Sequence, residues 1–437
     1  MRARRILASA AAATAITSAI TVPAFTSAAA ATALATAPVP TRAGPSHAGP
    51  RSRYGLGQLR RDVATVRRTG VVGVLAETDA GRLMARSGRA RLASAGPISY
   101  RSSFRIGSAT KTFVATVILQ LAARGRLSVG DSVARWLPGV VRGDGNDGRK
   151  ITIRELLQNT SGIYDYTDDL PVLASASGYR EDRFRSVRPR QLVAIAMRHK
   201  PLFRPGARLG YSNTNYILLG MIIQRVTGHS WAQEVRERII VPLGLRHTEV
   251  PATWSLPWPH PDGYEQFTPR GPLTDTTLVN AAWAGPAGGM VGTLSDLDRF
   301  LRALLSGRLL PPAELAQMEQ TVPAPGLVPG VRGGRYGLGL AWIPLSCGGG
   351  YWTHPGDFLG YSVWDGVTRH GRRTAVVMAS SEMAGQPALA QHVAEERLVD
   401  HALCARSPRP AGHSGRRSAG RAAGRSAGRA ARNMPVR

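Results

Sequence analysis

Apolar and polar positions change period several times along this chain, and the changes mark its elements. Val71–Thr78 (VVGVLAET) is apolar, β-branched and bounded by glycine, which predicts a strand. The turn Asp79-Ala80-Gly81 predicts an antiparallel partner behind it. From Phe104 to Gly125 the apolar residues Phe113, Val117 and Leu121 repeat with a helical period, so the segment is predicted to be mostly helical, with Ser108-Ala109-Thr110-Lys111 at its start. Leu127–Leu137 reads as a turn and a short helix. Thr152–Leu157 reads as another short helix, ahead of the loop Asn159-Thr160-Ser161-Gly162. Asn215–Val226 is a strongly apolar helix that ends near Gly228. Ser295–Leu305 is a further helix, with Ser295 expected as N-cap and Asp296 and Asp298 favouring its N-terminus. Short strands are expected at Tyr336–Trp342, Gly360–Asp365 and Thr374–Ala379. Strands thus lie at both ends and helices between them. This predicts an α+β fold: one antiparallel sheet built from both ends (about 55–130 and 285–404), flanked by helices and interrupted by a mainly helical insertion (about 131–284).

The two ends read differently. Arg2, Arg4 and Arg5 precede an apolar stretch, Ile6–Val22, and small residues at Ser27-Ala28-Ala29-Ala30, so residues 1–30 are expected to be a signal peptide. The mature protein is expected to be secreted, and it could stay with the cell wall. Residues 31–54, rich in Ala, Pro, Gly and Ser, read as a flexible linker. Residues 405–437 hold nine arginines and no acid in an RSAGRAAG-like repeat, a composition that predicts disorder. Such a tail either holds an anionic cell-wall polymer or is merely solvated. Beyond the leader no run of 18 apolar residues occurs, so no transmembrane span is expected.

Composition narrows the picture further. Of the 437 residues 43% are hydrophobic, which supports a sizeable core and excludes a collagen-like or wholly disordered chain. The net charge is +28, but only three residues are lysine (Lys111, Lys150, Lys200). The arginine bias reads as a coding background before it reads as nucleic-acid binding, and no nucleic-acid recognition motif is visible. Two cysteines, Cys347 and Cys404, exclude a disulfide-dense scaffold and a cysteine-rich metal site. In an exported chain they are expected to form one bridge.

Three short motifs carry candidate chemistry. In Ser108-Ala109-Thr110-Lys111 residues i and i+3 share a helix face, so a hydroxyl meets an amine. Serine needs a base to become a nucleophile, and lysine serves if its surroundings lower its pKa. The plain alternative is a surface lysine near a capping serine. In Tyr211-Ser212-Asn213 a phenol can relay a proton and an amide can hold a peptide-like substrate; a packed tyrosine is the plain alternative. In His354-Pro355-Gly356 a small residue lets backbone amides approach a ligand, and the histidine brings a titratable donor; the alternative is a structural turn. The motifs stand in order, 103 and then 143 residues apart, which sets two loops opposite one helix N-terminus.

With these motifs the chain resembles the penicillin-recognising serine hydrolases: exported serine DD-peptidases and class C β-lactamases. The segments FRIGSATKTF, LLQNTSGI, FRPGARLGYSNTNYILLGMIIQRVTG, VPLGLRHTEV, GPAGGMVGTLSDLDRFLRALL and YGLGLAW carry the resemblance, over residues 55–404. It implies a β-lactamase/transpeptidase-like fold. It further implies that Ser108 becomes acylated, that Lys111 and Tyr211 share proton transfer, and that Asn213 binds the substrate's side amide. His354 would support the proton network and the substrate's carboxylate end, Gly356 would be part of the substrate-binding site, and the backbone N–H groups of Ser108 and Asp357 would form the oxyanion hole. The Cys347–Cys404 pair matches the carboxypeptidase-like pattern. No metal or organic cofactor is implied. His354, in place of the lysine usual in β-lactamases of this class, favours a Streptomyces-type D-alanyl-D-alanine carboxypeptidase acting on cell-wall peptides, with β-lactams as inhibitors. Two departures favour an esterase or D-amino-acid amidase instead. Asp357 sets a negative charge beside the oxyanion hole, and Ala341-Trp342-Ile343-Pro344 stands where the carboxypeptidases carry arginines. A β-lactamase and a non-catalytic wall-binding protein are the remaining alternatives.

Overall fold

The computed structural model describes residues 54–327 and 331–405. The expected signal peptide, the linker up to residue 53 and the arginine tail from residue 406 lie outside the described residues.

The chain enters through a helix, α1 (Leu56–Arg67), and turns into β1 (Gly73–Thr78) and β2 (Leu83–Gly88), paired antiparallel. Three longer helices follow: α2 (Thr110–Ala123), α3 (Asn213–Thr227) and α4 (Leu294–Leu305). The last third supplies β3 (Val322–Pro323), β4 (Arg335–Tyr336), β5 (Ala341–Pro344), β6 (Gly350–Thr353), β7 (Gly356–Phe358), β8 (Tyr361–Thr368), β9 (Thr374–Ala379) and a final helix, α5 (Gln386–Cys404). The nine strands form one antiparallel sheet in the order β2-β1-β9-β8-β6-β5-β4-β3, with β7 paired to β8. Val74 lies opposite Ala379, so strands from the two ends of the core are neighbours in the sheet.

Burial explains the unbroken apolar strands. Ala375, Val377 and Ala379 join Leu59, Val63, Leu398 and Val399 of α1 and α5 on one face. Val376 and Met378 join the cluster of α2 and α4 on the other. A strand covered on both faces has no polar side, so its two-residue period disappears from the sequence. Where α2 and α4 meet, the Phe113 and Phe300 rings stack at 3.7 Å between centroids.

Three elements depart from the expectations. The expected strand Tyr336–Trp342 is two strands broken at Gly337–Leu340. There the backbone serves the helices instead: Leu338 N–H donates to Met318 O, Gly339 N–H to Leu157 O, and Thr112 Oγ1–H to Gly339 O. Gly339 adopts φ +74° in this break, and a Cβ there would lie 2.5 Å from that of Ala115. The N-cap of α4 is Thr293, whose hydroxyl accepts from Asp296 N–H, and Ser295 instead donates to Glu77. Helix α2 begins only at Thr110; Phe104–Arg105 is a short strand and Gly107–Ala109 a 3-10 turn.

The expected Cys347–Cys404 disulfide is present, tying the β5–β6 loop to the end of α5 across 57 residues. Closing a loop of that size restricts the unfolded chain. Replacing both cysteines by serine is expected to cost about 2–4 kcal/mol of stability, with unchanged turnover by the folded protein; thermal denaturation beside a kinetic assay checks this. Among the described residues no helix is long and apolar enough to cross a membrane.

Candidate active site

Ser108 lies in the 3-10 turn that leads into α2. The turn is possible because Gly107 takes φ +49°; a Cβ there would lie 2.5 Å from the backbone oxygen of Asp357. Gly356 is equally constrained, since its Cβ would come within 2.1 Å of Ile106 O. The two glycines therefore bring β7 against the nucleophile turn, with the backbone of Asp357 beside that of Gly107. Gly356 acts here by its smallness and is not among the residues lining the cleft.

Lys111, the second residue of α2, is fully buried. Its Nζ lies 2.9 Å from Ser108 Oγ, 2.7 Å from Asn213 Oδ1 and 2.6 Å from Ala287 O. The rings of Tyr211 and Tyr216 flank it at 4.8 and 5.4 Å. Burial pushes its pKa down to about 7, although Asp165 nearby favours the ammonium. The neutral amine keeps two N–H groups, which suit Asn213 Oδ1 and Ala287 O. Its lone pair is then left facing Ser108, the geometry of a base.

Tyr211 ends the loop that leads into α3, and its hydroxyl donates to Ser108 Oγ at 2.8 Å. Burial holds the phenol well above its ordinary 10, so it remains protonated at working pH. The loop is pinned by Asn159, whose side-chain oxygen accepts from Ser212 N–H and from Asn215 Nδ2. Asn159 thus gives the Asn159–Gly162 loop a structural task.

Two expected roles change. Both ends of the Asn213 amide are occupied: Oδ1 accepts from Lys111, and Nδ2 donates to Asp165 Oδ2 (2.8 Å) and Thr167 Oγ1 (3.3 Å). Asn213 therefore serves the lysine and has no amide hydrogen left for a substrate. His354 is buried behind Tyr211, with Nε2 2.9 Å from the Tyr336 hydroxyl. Burial, reinforced by the charge of Lys111, lowers its pKa to about 3. It is neutral at any working pH and offers no cation to a carboxylate.

Sequence reasoning placed Asp357 beside the site but missed the rest of the opposite wall. A cleft of about 230 Å³ beside Ser108 and Asn213 is lined by Leu173, Trp283, Phe358 and Leu359, and by three acids, Glu265, Asp357 and Glu382. A short parallel bridge sets Glu382 next to Glu265. Glu265 accepts from Gly360 N–H, while among the described residues no protein donor reaches the Glu382 carboxylate. Burial and the neighbouring Asp357, Glu265 and Glu395 push Glu382 well above the usual carboxylate range. Burial likewise raises Glu265 to about 7. Burial opposes ionisation of Asp357 too, but His392 at 3.6 Å outweighs it and holds this carboxyl low. His392 is itself raised to about 9, because Asp357 more than offsets its burial. Ligand atoms of Asp357, Glu382 and His392 lie within 4.8 Å of one another. An imidazolium, however, donates rather than ligates, so this group reads as an ion-pair network. His229, Glu234 and Glu237 also cluster, but Arg238 and His229 occupy the Glu234 oxygens.

A base that must be neutral sets a pH dependence. The rate kcat/KM is expected to fall about tenfold per unit below pH 7, where Lys111 is protonated, and to level off above it. A pH profile on an uncharged ester checks this, since such a substrate does not titrate.

Comparison with known proteins places this geometry. A family model described as Beta-lactamase matches residues 58–399. The crystal structure of a D-stereospecific amidohydrolase from a Streptomyces species shares 42% sequence identity, with TM-score 0.71 over 77% of this chain and 97% of that one. The D-amino acid amidase from Ochrobactrum anthropi SV3, complexed with L-phenylalanine amide, shares 27% with TM-score 0.67, over 79% and 96%. Penicillin-binding protein 4 of Amycolatopsis lactamdurans is 29% identical over 284 residues, 62% of this chain and 65% of that protein. The chain spans between 39% and 65% of the length of the curated relatives it matches.

Proposed function

Because the chain belongs to the beta-lactamase family of serine hydrolases, we propose that it is an amidohydrolase cleaving amides and esters of amino acids whose α-amino group is free, those of D-configuration above all. The acidic wall carries this reading. Glu265, Asp357 and Glu382 face the cleft that holds Ser108, and among the described residues no basic side chain lines it. An ammonium is stabilised by such a wall, whereas the carboxylate of a D-alanyl-D-alanine terminus or of a β-lactam is repelled. The carboxypeptidase expectation is therefore second. Leu173, Trp283, Phe358 and Leu359 offer an apolar side chain its place. The names of the two amide-cleaving neighbours support the D-configuration.

In this reading Lys111 takes the Ser108 proton as Oγ bonds the carbonyl carbon. The N–H groups of Ser108 and Asp357 receive the charge that develops on oxygen. The Tyr211 phenol, 2.8 Å from Ser108 Oγ, passes a proton to the leaving nitrogen as the C–N bond breaks. Water then attacks the Ser108 ester by the reverse relay and releases the amino acid. The Cys347–Cys404 bridge supports export, since such bonds persist in oxidising compartments.

The test compares D-phenylalanine amide, its L-enantiomer, N-acetyl-D-phenylalanine amide and a peptide ending in D-Ala-D-Ala, with benzylpenicillin adducts followed by intact mass. Preferred turnover of D-phenylalanine amide, and no lasting adduct, is expected. Turnover of the D-Ala-D-Ala peptide alone, with a stable penicillin adduct on Ser108, restores the carboxypeptidase reading.

A further inference from the structure

We propose that Asp165 is a positioning residue for acylation: its carboxylate fixes the Asn213 amide so that oxygen, not nitrogen, faces Lys111. This rests on the reading of Ser108 and Lys111 as nucleophile and base. Asp165 lies in a segment stitched to the start of α3: Ser212 and Thr214 hydroxyls donate to Tyr164 O, and Tyr166 N–H donates to Thr214 Oγ1. Its two oxygens have separate partners. Oδ1 accepts from Thr167 N–H at 3.1 Å and caps the turn Tyr166–Asp169, while Oδ2 accepts from Asn213 Nδ2 at 2.8 Å.

The need for such a lock follows from the amide itself. Its two ends are nearly equal in size, so hydrogen-bond partners alone decide which faces the lysine. With oxygen inward, a neutral Lys111 spends an N–H on Asn213 and keeps its lone pair for Ser108. With nitrogen inward, the amide would donate to that lone pair, and the base would be occupied before the serine could reach it. Asp165, an acceptor only, excludes the second arrangement. Its charge acts on Lys111 as well. The other polar and titratable groups around the amine are Ser108, Tyr211, Tyr216 and His354, and the last three stay neutral at working pH. Asp165 is thus the negative charge that favours the ammonium.

The experiment uses the full-length protein, a D-phenylalanine p-nitroanilide substrate and the variants Asp165→Asn and Asp165→Ser. Serine keeps a cap oxygen for Thr167 N–H, so this variant preserves the local fold even if the other does not. Both are expected to lower kcat by about 10–100-fold, the worth of one hydrogen bond to a charged group, with KM nearly unchanged. The acid limb of the pH profile moves to lower pH, because the ammonium has lost its favouring charge. A raised KM at unchanged kcat, or an acid limb that stays in place, would overturn the proposal. Ser108→Ala run in parallel separates the two failures. If that variant still turns over, the nucleophile reading falls; if it is inactive while the Asp165 variants match wild type, only the Asp165 proposal falls.

Discussion

Lys111→Met is expected to slow acylation of Ser108 by about 10²–10⁴-fold, the usual worth of a positioned base, while the fold persists. Methionine is nearly as long and fits between the Tyr211 and Tyr216 rings, where the bulkier arginine would not. It cannot accept the serine proton. A second readout separates loss of the base from damage to the structure. Lys111 is fully buried and no carboxylate touches it, so its pKa in the folded state lies near 7, below the 10.5 of the free side chain. Between those values the unfolded chain binds a proton that the folded one does not. The lysine's contribution to stability therefore falls as pH drops through that window and is lowest below about 7. The melting temperature of Lys111→Met relative to wild type is expected to be higher at pH 6 than at pH 10. Time-resolved intact mass with an activated ester, together with thermal melts at the two pH values, measures both. Wild-type acylation in this variant would remove the lysine from the mechanism.

Glu382→Gln is expected to lower kcat/KM for D-phenylalanine amide by about 10–100-fold, and to leave the N-acetylated amide unchanged or faster. Glu382→Lys is expected to abolish turnover of the free amine outright. Of the three acids in the cleft Asp357 is already paired with His392, and Glu265 holds Gly360 N–H. Glu382 is the one whose carboxylate no protein donor reaches among the described residues, and burial among other acids favours its protonated form. A bound ammonium would reverse that preference and expel the proton. KM for the free amine is accordingly expected to fall as pH rises through about 7, where Glu265 ionises. Matched kinetics on the amide and its N-acetyl derivative check this, since only the first carries the charge. Equal losses on both substrates would make Glu382 structural.

The cluster of Ser108, Lys111, Tyr211 and Asn213 was legible because its signal is local. Ser108 and Lys111 are three residues apart on a helix, and Tyr211 and Asn213 flank the start of another. Beyond Asp357 the acidic wall was not legible, for the reverse reason. Glu265, Asp357 and Glu382 are far apart in sequence and meet through the Tyr264–Ser381 pairing and the packing of β7. Asp165 stood three residues beyond the NTSG loop with nothing but position to mark it. Helix α5 buries Glu395, Glu396 and Asp400, so polar residues interrupt its apolar face and mask its period. In α1 arginines dilute the stripe of Leu59, Val63 and Val66. The strand drawn through Gly337–Leu340 failed because the helices claim that backbone, a tertiary demand that no local pattern records.

The pairing of Val74 with Ala379 has a kinetic consequence. Strands β1 and β9, neighbours in the sheet, join residues about 300 positions apart, so the sheet cannot close until nearly the whole core has left the ribosome. Until then β1 lacks one of its two neighbouring strands, and the nascent chain must be kept from aggregation.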